Sequence, residues 1–399
     1  MKITFYLLAL LLIISCSKKE AKSEKFTQVE IDGLKMDSTK NLPVDYSGIA
    51  ELNIEKLLNP KPFNLGALLD SINLIPLESG KECLISELTS ITFSKDYIYV
   101  VDAYQGSSIV IFDKSGKFVT RIKRGNAPHE ITTIKNICFN AKTNELIVFH
   151  SHYMSFFSPE GKFIKKAKLP INAFSFEITD DGYLFCTIKG IDNRHMGTFS
   201  ECRLLALNAN FEVMYAGKIN NSDIETDFCG ETRYLKRDND TIIFTHSFND
   251  TIFTYYNHRV KAKTFLNIGR SSVPRDVLRK DEEIISKELK ANNYDFFMGE
   301  FESTTSHEYY KLSNHYTRKY TSVFRDKKSN NCISLNSYLI PSYLPCFREP
   351  FATHNDYFVS YVNPDNYFVN SMFGKAYCNK NNIKEYDNPI LVFYKLKHF

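Results

Sequence analysis

Two stretches of this chain align without gaps at a separation of 45 residues: FDKSGKFVTRIK from Phe112 to Lys123, and FSPEGKFIKKAK from Phe157 to Lys168. Phe112, Gly116, Lys117 and Phe118 recur as Phe157, Gly161, Lys162 and Phe163. Each copy reads as an apolar strand, a four-residue turn with glycine near its end, and an alternating strand, which is a hairpin. A unit of this size cannot bury its apolar face alone and must stack on copies of itself. The strand pairs 88–103 and 134–151 precede the two hairpins and complete four-stranded units. Further units read as 174–188 with 203–219, as 238–269, more weakly around 317–335, and as 351–363 with 389–397.

The sixth unit has three strands, while SINLIPLES at 71–79 is a spare strand ahead of the first. A ring uses such a strand to complete its last sheet, and closure removes long exposed edges. The expectation is therefore all-β: a six-bladed β-propeller of four-stranded antiparallel blades over 46–399, closed by an N-terminal strand. A small helical insertion is expected at 270–316 between blades four and five. In a meander blade the first-to-second and third-to-fourth turns share one face. The long segments 189–202, 270–316 and 363–388, with GNAPHE at 125–130, all fall on the other. Loops on a rigid scaffold usually carry binding, so contacts are expected from that long-loop face.

The chain opens MKITFYLLALLLIISCSKK. The apolar run from Phe5 to Ile14 falls short of the roughly 20 residues needed to span a bilayer and suits the core of a secretory signal. Ile13-Ile14-Ser15-Cys16 resembles the bacterial lipobox, in which the cysteine thiol is acylated and the peptide is cut before it. Residues 1–15 read as a lipoprotein signal peptide, Cys16 as the lipidation site, and 16–45 as a lipid-anchored flexible tether, polar and without apolar periodicity. Eight further cysteines are widely spaced with no zinc-type cluster. Mostly unpaired buried thiols are expected, with Cys186–Cys202 the first choice for any bridge.

Net charge excludes one class of partner. Of the formal +4, three units precede Phe26, from Lys2 and from four lysines against two glutamates, leaving about +1 for the remainder. Nucleic-acid binding by phosphate neutralisation needs a larger surplus, so no nucleic-acid partner is expected.

Chemistry candidates are few. His150 and His152 point to one side if their segment is extended, as a metal pair would; the alternative is two polar residues at a blade edge. Arg124, Asn126, His129 and Glu130 gather cation, amide, imidazole and carboxylate in one loop. That loop suits an anionic or sugar ligand or acid–base work, or simply an inter-blade connection with solvated charges. No nucleophile-elbow, P-loop or dinucleotide motif appears, and no catalytic residue or cofactor is assigned, though a channel metal ion remains open.

The strings LIPLES, IVIFDKSGKFV and GNAPHEI, with Asp250-Thr251-Ile252-Phe253 in the fourth unit, resemble the lipoprotein six-bladed β-propeller family related to NHL-repeat propellers. That resemblance covers about 50–399 and implies the fold and little about activity. The expected function is a lipid-anchored binding or scaffold module for a protein, peptide or glycan. Its expected place is the bacterial cell envelope, at the outer membrane facing the periplasm, with the cell surface as the other location. The alternative is a metal-assisted hydrolase or lyase with an ion in the central channel.

Overall fold

The computed structural model describes residues 26–60, 65–103, 106–187, 192–219, 233–336 and 348–399. It contains six sheets, each built on four antiparallel strands in meander order. Blade one is Ser90–Phe93, Tyr97–Asp102, Ser108–Asp113 and Phe118–Ile122. Blade two is Ile134–Asn140, Glu145–His150, Tyr153–Phe157 and Phe163–Lys168. Blades three and four begin at Ser175 and Leu235, and blade five is Phe296–Ser303, His307–Asn314, Lys319–Asp326 and Cys332–Asn336. Among the described residues no helix is long and apolar enough to cross a membrane.

The second and third strands are apolar on both faces because each sheet packs between two others. In blade one, Ile98 and Val100 face blade six beside Val359 and Leu391. Alternate residues Tyr99 and Val101 face blade two beside Leu146 and Val148. A period-2 strand with two buried faces gives this continuous apolar run. The described cysteines 83, 138, 186, 202, 332 and 378 are free thiols, so no Cys186–Cys202 bridge forms.

Ring closure is as expected, with the strand starting two residues earlier. Leu69–Pro76 pairs antiparallel with Ile390–Leu396 and is the fourth strand of blade six. The chain beyond it ties blade six to blade one. Asn388, 2% exposed, donates through Nδ2 to the Glu78 and Cys83 carbonyls and accepts at Oδ1 from the Ile85 amide. The Glu78 amide donates to the Gly116 carbonyl at 2.8 Å. Gly116 has φ +87°, and a Cβ there would lie 2.2 Å from the Pro76 carbonyl oxygen, which is why the repeat keeps glycine at this turn.

Two boundaries differ from expectation. Blade five starts at Phe296, so the segment read as an insertion over 270–316 ends near 295, with helices at Arg275–Leu278 and Glu282–Ala291. Its first two strands escape pattern reading because they bury polar side chains. Glu302, His307, Glu308, Ser313 and Asn314 are all buried, and a bulge at Gly299 (φ +83°) breaks the register. The insertion at 363–388 in blade six carries helices Asn366–Asn370 and Met372–Asn381.

Nor is the N-terminal segment a free tether up to residue 45. From Phe26 it docks on the outside of the ring. Lys40–Asn41 runs parallel to the outer strand of blade three, and Val44–Asp45 and Ala50–Asn53 parallel to that of blade four. Phe26, Leu34, Leu42 and Ile54 are buried, the last at 0% exposure. These anchors stand singly in a polar sequence, leaving no periodicity to read. Residues before 26 lie outside those described.

Candidate functional site

The first strands of the six blades surround a central channel of about 880 Å³, lined from Thr89, Thr133 and Arg233 at one end to Asn239, Thr304 and Asn355 at the other. Its lining includes five carboxylates, Glu87, Glu177, Asp238, Glu300 and Glu302, and five cations, Lys135, Arg233, Lys236, Arg237 and Lys311. Most are held across blade boundaries. Glu177 of blade three lies 3.8 Å from Arg233 and 3.9 Å from Arg237 before and in blade four. Lys236 of blade four meets Glu302 of blade five at 2.5 Å. Lys311 of blade five lies 3.1 Å from both Glu300 and Glu349, the latter just ahead of blade six. The Gly299 bulge sets Glu300 in place, since Phe297 and Phe301 pair with Leu312 and Tyr310 and two extra residues are looped out.

Electrostatics follow from that arrangement. Desolvation pulls the Lys311 ammonium down, but the fields of Glu300 and Glu349 outweigh it and lift its pKa to about 12. The opposite arc is apolar, with Ile91, Phe93, Phe139 and Phe351. Phe93 packs on His354 at 4.5 Å between ring centroids, and burial lowers the His354 pKa. The channel is thus amphipathic in cross-section. Two donors on the wall of blades three and four are left unused. Ser175 Oγ, on a residue 2% exposed, and Arg233 Nε are buried without a hydrogen bond. Lys135 Nζ donates to the Ala173 carbonyl at 3.0 Å and lies 4.9 Å from the Phe149 ring centre.

A second cavity, about 260 Å³, lies between the Phe248–Thr251 loop of blade four and the helical insertion, lined by Asp250, Ser272 and Arg275. Burial pushes the Asp250 carboxyl up to about 7. Sequence reading placed Asp250 only in a strand motif and missed its position on the long-loop face.

The candidates read from sequence fall elsewhere. Arg124, Asn126 and His129 are exposed on the connection between blades one and two, outside the channel lining. Glu130 folds that connection on itself, accepting the Ala127 amide at 2.9 Å and filling the space where a Gly125 Cβ would sit. His150 and His152 do not form a pair on one side, because Ser151 between them has φ +49° and turns the chain. His150 is fully buried, with Nδ1 accepting from the Thr132 amide at 3.1 Å and Nε2 2.8 Å from Ser155 Oγ. Burial and nearby Lys166 lower its pKa to about 4, so it is a neutral, hydrogen-bonded core residue at pH 7. His152 packs edge-on to Phe26 at 5.0 Å. Cys16 lies outside the described residues. The channel itself was illegible in sequence, since ion pairs such as Lys236–Glu302 join residues 66 positions apart.

A ring of six four-stranded blades around a lined axial cavity defines a six-bladed β-propeller. By sequence the chain belongs to the family described as Domain of unknown function (DUF4934), which it matches over residues 50–395. The sequence matches no curated protein. Among solved structures it is similar to a candidate exported protein of Bacteroides fragilis, with TM-score 0.72 and 14% identity over 88% of this chain and 99% of that one. It is more distantly similar to a protein of unknown function from Bacteroides caccae, with TM-score 0.38 and 11% identity over 63% and 82%. BamB from Moraxella catarrhalis stands at 0.38 and 9% over 67% and 79%. At these identities the first likeness shows the fold alone.

Proposed function

We propose that this protein is a lipid-anchored binding module of the bacterial envelope that takes its ligand into the long-loop mouth of the channel. One observation carries the reading: a large amphipathic cavity holds the buried, unbonded donors Ser175 Oγ and Arg233 Nε beside the Lys135 ammonium. Leaving a buried donor unmade costs roughly 1–3 kcal/mol, and a ligand with a carboxylate or similar acceptor would recover it. The apolar arc of Ile91, Phe93 and Phe351 suits the body of such a ligand, whether peptide or glycan derivative. Among the described residues the channel presents no set of ligands for an ion, so metal-assisted hydrolysis or lysis there has no support from geometry.

Envelope extract passed over immobilised protein, read by mass spectrometry, should yield a small acidic or acceptor-bearing ligand from wild type. Arg233→Met should lose it by tenfold or more while still melting cooperatively, since Arg237 remains beside Glu177. Equal retention by both proteins would overturn the channel assignment. If loss instead follows shortening of 363–388, the loops alone bind.

The anchor rests on Ile13-Ile14-Ser15-Cys16, and the exported description of the B. fragilis protein agrees with an envelope address. Two or more acyl chains would hold the protein stably where one would not, at about 0.8 kcal/mol per buried CH₂. Cys16→Ser should abolish incorporation of labelled palmitate. Continued labelling would refute the anchor.

A further inference from the structure

Away from the channel, the end of blade five bearing its short turns brings together two imidazoles and a carboxylate. His307 opens the second strand and Asp326 closes the third, and the two are direct cross-strand partners. His398, just past the closing strand pair of blade six, reaches over them. One ligand-type atom from each lies within 4.8 Å of the others, and this is the one such group of three among the described residues.

His307 is 1% exposed, and its Nε2 makes no hydrogen bond of good geometry, though the ring lies near the Lys397 backbone. Its Nδ1 lies 2.9 Å from Ser306 Oγ. With the Nδ1 proton given to that hydroxyl, the Nε2 lone pair faces the cluster, as outer-shell partners of metal-bound imidazoles arrange. On the far side, His398 Nδ1 lies 3.0 Å from both Asp326 oxygens. A proton occupies that gap when the imidazole donates to the carboxylate.

We propose that His307, Asp326 and His398 form a divalent transition-metal site, of the two-imidazole, one-carboxylate type that suits Zn²⁺. Zinc takes nitrogen ligands at about 2.0–2.1 Å, which sets tetrahedral ligand atoms about 3.3 Å apart. The three ligand atoms, now within 4.8 Å of one another, reach that geometry by drawing together through side-chain movement. Binding displaces the His398 Nδ1 proton, which passes to Nε2 of a neutral ring or to solvent from a doubly protonated one, and places the ion between Nδ1, Asp326 and His307 Nε2. Water completes the fourth position on the exposed side. The competing role is a clamp on the end of the chain, since Asp326 also accepts the Phe399 amide at 3.0 Å and the Lys328 amide at 2.8 Å. A clamp alone explains Asp326 but leaves His307 Nε2 with no hydrogen bond of good geometry, only a looser backbone contact from the ring to Lys397.

The test is equilibrium dialysis of the full chain against Zn²⁺ after chelator treatment, read by elemental analysis, with thermal melting in parallel. One tightly held Zn²⁺ per chain and a raised melting temperature are expected. His398→Ala and His307→Ala should each weaken binding at least tenfold and abolish the melting shift. His398 is exposed, so its variant reports on the site even if H307A folds poorly. Absence of stoichiometric Zn²⁺ from wild type, or wild-type affinity in H398A, would overturn the proposal. Co²⁺ substitution gives an independent reading: visible absorption bands present in wild type should be lost in H398A.

Discussion

Removing residues 1–79 should leave a chain with no cooperative thermal transition by circular dichroism or calorimetry. The lost strand Leu69–Pro76 contributes seven backbone register pairs to blade six. Beyond it, Leu77 is buried, and Asn388 loses one of its carbonyl partners at Glu78. Upstream, Phe26, Leu34, Leu42 and Ile54 go as well. At about 1.5–3 kcal/mol for each buried apolar side chain, five of them account for roughly 10 kcal/mol. That is comparable with the whole stability of a domain, about 5–15 kcal/mol. A chain starting at Leu65 separates the two contributions. It keeps the closing strand and should melt cooperatively at a lower temperature. If the chain starting at Gly80 melts as wild type does, the ring does not depend on this closure.

The second large effect concerns Glu308, buried between blades four and five. Its carboxylate lies 2.9 Å from Lys263 and 3.1 Å from Arg325 and accepts from the Tyr310 hydroxyl at 2.5 Å. Burial alone would raise its pKa, but Lys263, Tyr310 and Arg325 together outweigh it and hold it below the ordinary value of 4.5. Glu308→Ala leaves Arg325 mostly buried without its counter-charge and should cost about 3 kcal/mol or more, read by urea denaturation. Because the folded pKa is depressed, this contribution is present in full above the unfolded value near 4.5. It disappears as pH falls through the folded value. The stability gap between wild type and Glu308→Gln should therefore be flat above about pH 5.5 and shrink in acid. A gap unchanged down to pH 3 would show that the ion pairs are not its source.

How far sequence reached depended on whether a feature was local. The Phe112–Phe118 and Phe157–Phe163 hairpins announce themselves because glycine, turn and strand lie within a dozen residues, and the spare strand at 71–79 follows from counting. Blade five was only half legible. His307–Asn314 buries histidine, glutamate, serine and asparagine, and the neutralising partners, such as Lys263, come from another blade. Part of the edge-bound segment 26–58 looks like tether in sequence because it binds by backbone pairing and by isolated apolar anchors, which leave no periodic pattern. His150 and His152 looked like a pair only on the assumption of extended backbone, and the left-handed Ser151 breaks it. Neither the channel donors nor the His307, Asp326 and His398 cluster had a sequence signal. Asp326 and His398 are 72 positions apart, and it is the packing of blade six against blade five that brings them together.

The docking of Phe26 fixes more than the rim of blades two and three. Its ring sits 5.0 Å from His152 and 4.9 Å from His195. Both belong to second-to-third connections, so the chain departs from the long-loop side. Nine residues, 17–25, separate this point from Cys16, and the fully extended span from Cys16 to Phe26 reaches at most about 35 Å. An anchor at Cys16 would therefore act as a short leash that turns the channel mouth toward the bilayer. Ligands would then arrive sideways, through a narrow gap between lipid headgroups and protein. A membrane-embedded or membrane-shed molecule would meet the mouth sooner than one diffusing in from the open compartment.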